Sequence, residues 1–99
     1  MDTKSLVKLA KSLSDPHRLR ILQEIARVQR LACADLYAFV PISQPSMSQH
    51  VKALVDAGLV DSQKEGRHIY LSINPVKLQE LNEFLHLLNV SQLPRISSE

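Results

Sequence analysis

The chain has 99 residues, 12 Lys and Arg against 10 Asp and Glu, and a single cysteine, Cys33. That length makes one domain, near the lower end of what a single core can stabilise. One cysteine excludes an intrachain disulfide and a cysteine-rich metal cage within one chain. No apolar run approaches a membrane span, and the N-terminus lacks a charged segment leading into an apolar run and a cleavage site, so a cytoplasmic protein with no membrane partner is expected.

The charge is uneven. Residues 1–40 carry a net of +3, residues 41–74 are balanced, and residues 75–99 carry −1. A basic front half suits a polyanion, although a solvated surface explains it equally well.

In chain order, a first helix is expected over Thr3–Leu13, with Leu6, Leu9, Ala10 and Leu13 on one stripe. Asp15 then caps a second helix, Pro16–Arg30, whose first turn accommodates Pro16. Leu19, Leu22, Ile25 and Ala26 line one of its faces, and Ile21 and Val28 widen it. A short third helix runs from Ala32 to Phe39 and stops before Pro41. The fourth begins at Ser43 and ends at Gly58, a residue suited to the left-handed position after a helix. Leu59–Glu65 and Arg67–Ile73 read as two strands hinged at Gly66. Asn74 caps a fifth helix from Pro75 to Asn89, and residues 90–99 form a loose tail.

The order helix, helix, helix, helix, hairpin, helix makes a mainly α fold with a small β-hairpin. It is a winged helix-turn-helix: the helix-turn-helix spans residues 32–58 and the wing residues 59–73. On a helical wheel of the fourth helix, Met47, Val51, Leu54 and Val55 gather on the core side. Gln49 lies nearly opposite, Lys52 flanks it, Ser46 and Ser48 stand towards the shoulders, and His50 sits at the boundary. Short hydroxyls let a helix approach the major groove closely, and glutamine pairs bidentately with adenine. The amides of the helix N-terminus, around Ser43 and Gln44, favour phosphate. At the hairpin tip Lys64, Arg67 and His68 surround Gly66 and can reach phosphates or the minor groove. The expected DNA contacts are therefore Ser43, Gln44, Ser46, Ser48, Gln49, His50, Lys52, Lys64, Arg67 and His68.

The fifth helix carries more apolar surface than one packing face requires. Leu81, Leu85 and Leu88 form one stripe, with Phe84 and Leu87 to the side. A homodimer through the first and last helices is expected, with Leu6, Leu9, Leu13, Leu81, Phe84, Leu85 and Leu88 at its interface. It would read an inverted repeat of double-stranded DNA with two helices about 34 Å apart.

Residues 15–73 resemble the ArsR/SmtB winged-helix repressors, through the segments SDPHRLRIL, ADL, SQPSMSQHVKALVDAGLV and EGRHIYLSI. The resemblance implies a dimer joined by the first and last helices, and an operator held until a signal weakens binding. By position it matches Ser46, Ser48, Gln49 and His50 to recognition-helix contacts and Arg67 with its neighbours to the wing. The chain departs from the family at its familiar metal sites. Where an L-C-x-C-D-L pattern would stand, it reads Leu31-Ala32-Cys33-Ala34-Asp35-Leu36, with alanine at both ligand positions, and residues 74–89 lack an opening Asp-x-His pair. No metal site and no cofactor are assigned. Glu80, Glu83 and His86 share a rough face, yet plain surface polarity explains them better, and His17 reads as an exposed first-turn residue. Cys33 is a candidate redox switch, against the commoner inert role of a free cysteine. No nucleophile–base pairing or phosphate-cradling glycine loop argues for an enzyme. The alternative from another class is a winged-helix protein-interaction module, suggested by the balanced charge of residues 41–74.

Overall fold

Capping side chains set where the helices begin. The computed structural model describes residues 1–96, with side chains through Asn89. Helix α1 (Thr3–Ser12) starts at Asp2, whose carboxylate accepts the Ser5 amide at 2.8 Å. Helix α2 (Pro16–Val28) starts at Asp15, where Oδ1 accepts the His17 and Arg18 amides at 2.8 and 3.2 Å. Each cap satisfies amides that have no intrahelical acceptor.

Helix α2 ends two residues earlier than Arg30. Gln29 has φ +70° and ψ −37°, and the Arg30 amide donates to the Val28 carbonyl at 2.8 Å. This is a γ-turn, a strained conformation for a residue with a side chain. It turns the chain into strand β1 (Leu31–Ala32), which the sequence reading did not contain. A 3-10 helix (Cys33–Ala38) follows in place of the expected α-helix. The eight residues between the strand and Pro41 repay little of the cost of nucleating an α-helix, and tighter turns suffice to bury Leu36.

Helix α3 (Gln44–Asp56) is capped by Ser43, whose Oγ accepts the Ser46 amide at 3.3 Å. At its other end the Gly58 amide donates to Val55 and the Leu59 amide to Leu54, closing the helix through a left-handed residue, Gly58 at φ +85°. A side chain there would be strained and would meet Lys77 Cε at 3.0 Å. Strands β2 (Val60–Glu65) and β3 (His68–Ile73) pair from Val60 with Ile73 to Glu65 with His68, around a two-residue turn with Gly66 at φ +63°. The sheet order is β1-β3-β2, with Leu31 opposite Leu71. Asn74 joins this sheet to helix α4 (Pro75–Ile96). Its Oδ1 accepts the Lys77 amide, its Nδ2 donates to Asp61, and its own amide donates to the Leu59 carbonyl.

Helix α4 continues past Asn89 through residues expected to be a loose tail. Val90 to Leu93 contain no glycine or proline, so nothing in the backbone stops the helix there. Residues 97–99, the end of that expected tail, lie outside the described residues. Among the described residues no helix is long and apolar enough to cross a membrane.

The core joins Leu9, Ile21, Ile25, Leu36, Met47, Leu54, Leu59 and Leu71, with the partly buried Leu81 of α4 packed against it. Removing most of one such side chain costs about 2–5 kcal/mol. On α2 the buried pair is Ile21 and Ile25, whereas Leu19 and Val28 are exposed, contrary to the wheel reading. Glu24 lies on that same buried side, held by Arg20 at 3.1 Å and Arg27 at 3.0 Å, which compensates its charge. Leu9 is a further correction. Its side chain is fully enclosed within the subunit, so it has no area left for a dimer interface.

Candidate nucleic-acid interface

Helix α3 turns Met47 and Leu54 into the core and so fixes what its other side presents. Gln44, Ser48 and Gln49 are exposed, Ser46 is half-buried, and Ser43 is exposed while capping the helix. Lys52 is exposed but paired with Asp56 at 3.0 Å. Such a surface pair is weak, so the ammonium can exchange its partner for a phosphate at little cost.

The hairpin stands beside the start of α3. Ala32, Cys33, Ala34, Tyr37, Gln44, Arg67, His68 and Ile69 line one groove, which runs from the helix N-terminus to the wing. Lys64, Arg67 and His68 are all exposed. Glu65, beside the tip cations, pairs with Arg30, whose guanidinium also lies 3.8 Å from the centre of the Tyr70 ring. The γ-turn at Gln29 brings Arg30 to that position. The wing acidic group is thus neutralised from below, and the tip presents two cations and an imidazole.

His50 departs from its expected role. Its side chain is only 16 % exposed and faces the first turn of α2, with Nδ1 3.8 Å from Asp15 Oδ1 and its ring 5.5 Å from that of His17. A side chain turned towards α2 does not reach outward with Gln49, and the wheel could not show this because the neighbouring helix is absent from it. Burial pushes the Asp15 carboxyl up. The Arg18 and His17 amides, with the nearby His50 and Arg18, more than offset this and leave it below its usual range. Asp15, His17 and His50 form the group of three metal-capable side chains found together among the described residues. Sequence reasoning missed it; an aspartate cap two residues before a histidine was the one available signal.

The other candidate sensing groups are not brought together in this way. Glu80 is held by Lys77 at 3.0 Å, and that hydrogen bond keeps its carboxyl below the usual range. Glu83 lines a groove with Glu80, Met1, Leu6, Phe84 and Leu87, while His86 is exposed. Cys33 is half-buried, and burial pushes its thiol up, which lowers the thiolate fraction and favours the inert role.

A polar helix face seated beside a cation-tipped hairpin defines a winged helix-turn-helix DNA-binding protein. Comparison with known proteins agrees. The helix-turn-helix domain family matches residues 13–63. The arsenical resistance operon repressor of Staphylococcus xylosus is 40% identical over 92 residues, 92% of this chain and 86% of that protein. The transcriptional repressor SdpR of Bacillus subtilis is 32% identical over 80 residues, 80% of this chain and 88% of that protein. An ArsR-like transcriptional regulator from a Rhodococcus species superposes with a TM-score of 0.80 at 27% identity, covering 96% of this chain and 89% of its own. The chain belongs to the ArsR family of winged helix-turn-helix transcriptional repressors. It is a DNA-binding transcriptional regulator and not an enzyme, and the protein-interaction module gives way to that reading.

Proposed function

We propose that the protein acts as a homodimer which reads an inverted-repeat operator and represses transcription from it. The observation that carries this reading is the set of exposed groups Gln44, Ser48 and Gln49 on α3, with Gln44 sharing a groove with Arg67 and His68 of the wing, where Lys64 is also exposed. Ser43 and Ser46 contribute from the helix start, and Lys52 from its third turn. Gln49 has the length and the paired donor and acceptor to read adenine, and the wing cations meet phosphate.

Dimer formation is supported by the apolar groups left uncovered in one subunit. Phe84, Leu85, Leu87 and Leu88 are exposed along α4, with Leu6 and Val7 at the side of α1. Contiguous apolar surface of this kind marks an interface. The groove between α1 and α4 is also lined by Glu80 and Glu83.

The arsenical resistance repressor is similar to this chain over most of its length, but the signal is not carried across with the fold. The segment Leu31-Ala32-Cys33-Ala34-Asp35-Leu36 offers one thiol where soft trigonal thiolate binding needs several, and so does not support it. Titration into inverted-repeat DNA from the gene's own promoter tests the proposal. Binding should be tighter than to scrambled DNA and should weaken steeply with salt. Gln49→Ala should cost about 1–3 kcal/mol at one base position of each half-site while leaving stability unchanged. Equal affinity for both DNAs would overturn the reading.

A further inference from the structure

Three ligand atoms, one each from Asp15, His17 and His50, lie within 4.8 Å of one another. His50 Nδ1 is 3.8 Å and His17 Nδ1 is 4.0 Å from Asp15 Oδ1. The atoms face one another at distances beyond hydrogen bonding. His50 Nδ1 is enclosed and has no hydrogen-bond partner. Enclosed polar atoms are rarely left so, and a bound cation is one standard explanation. The Asp15 carboxylate uses Oδ1 to cap α2, which leaves its second oxygen for another partner. Arg18 does not occupy it, because that guanidinium reaches back to the Lys11 carbonyl at 3.4 Å.

A tetrahedral ion with bonds of about 2.0–2.1 Å sets neighbouring ligand atoms about 3.3 Å apart. The observed cluster is looser than this by no more than about 1.5 Å, a gap that rotation of the half-exposed His17 ring can close. Two imidazoles and one carboxylate suit borderline ions rather than the soft ions that select thiolates.

We propose that Asp15, His17 and His50 form a site for a divalent transition metal of the zinc, cobalt or nickel type, with water completing its coordination. The site ties the first turn of α2 to the second turn of α3. Ser48 and Gln49 ride on that same turn of α3, and Ser46 on the turn before it, so occupancy sets the pose of the recognition face. This second consequence rests on the DNA-binding reading; the metal site itself does not.

The test titrates Co(II) into the full-length protein and follows its ligand-field absorption, then displaces it with Zn(II). One Co(II) per chain is expected, with affinity lowered about tenfold or more in His17→Gln and in Asp15→Asn. Both variants should fold: His17 is exposed, and asparagine caps a helix as well as aspartate does. A triple variant, Glu80→Gln with Glu83→Gln and His86→Gln, should bind as the parent does. No absorption change in the parent, or unchanged binding by His17→Gln, would overturn the site. Affinity for the inverted-repeat DNA, with and without Zn(II), should differ at least about fivefold in the parent and not in His17→Gln. Equal DNA affinity of the loaded and metal-free parent would overturn the coupling alone. Failure to bind that DNA in either condition would count against the DNA reading, with the site still judged on Co(II).

Discussion

Asp2 shows how one side chain links the helix start to pH. The Ser5 amide, followed by the Ser5 hydroxyl, keeps its carboxyl below the usual range. A carboxyl held below its unfolded value stabilises the fold above that value and ceases to do so as pH falls through the folded one. Stability should therefore decline as pH drops below about 4. Asp2→Asn, which keeps a cap at every pH, should flatten part of that decline when urea midpoints are compared across the acid range. Gln29 supplies a second test at this scale. Its positive φ is strained for any residue with a Cβ, while glycine adopts it freely at an entropic cost in the unfolded chain. Gln29→Gly should raise unfolding stability by roughly 1 kcal/mol, measured by denaturant titration, with DNA affinity unchanged. A fall in stability would show that the glutamine side chain itself holds the turn.

The elements that make the interface were readable to different degrees. Helix α3 declared itself through a serine cap, a glycine stop and an apolar stripe, all local chemistry. The hairpin declared itself through alternation around Gly66. Strand β1 did not, because two residues have no periodicity and exist as a strand through pairing with β3. The same strand places Arg30 against Tyr70 and Glu65, so the wing's charge balance is a property of the sheet. The wing should then act as two phosphate-seeking cations. Lys64→Ala combined with Arg67→Ala should reduce the slope of log affinity against log salt by about 2 for each subunit, about 4 for the dimer on its inverted repeat, with stability nearly unchanged. An unaltered slope would mean that the wing stands clear of the duplex.

At the scale of the whole molecule, the apolar surface of α4 needs a partner that the single subunit does not provide. Leu85 and Leu88 are each about half exposed, on a helix whose Leu81 packs against the core. Placing charge there should leave the fold intact and oppose association. Leu85→Glu with Leu88→Glu should weaken self-association by more than about a hundredfold in sedimentation equilibrium, since an unpaired buried carboxylate costs several kcal/mol. Operator affinity should fall with it, because two half-sites are then met by one reader. A double variant that remains dimeric would move the interface elsewhere on the molecule.

Taken by itself, the sequence determined the capped helices, the hairpin, the polar set on the recognition helix and the missing thiolates. Each depends on residues within about four positions of one another, the range over which backbone capping and helical periodicity act. Tertiary structure alone decided which leucines close the core, Leu9 among them. It also turned His50 away from the exposed face and brought it to Asp15 and His17, 35 and 33 positions earlier in the chain. A helical wheel carries no neighbour, so it cannot tell a side chain facing solvent from one facing the next helix. That difference depends on how two elements pack, and packing is settled by the buried surface of the whole chain.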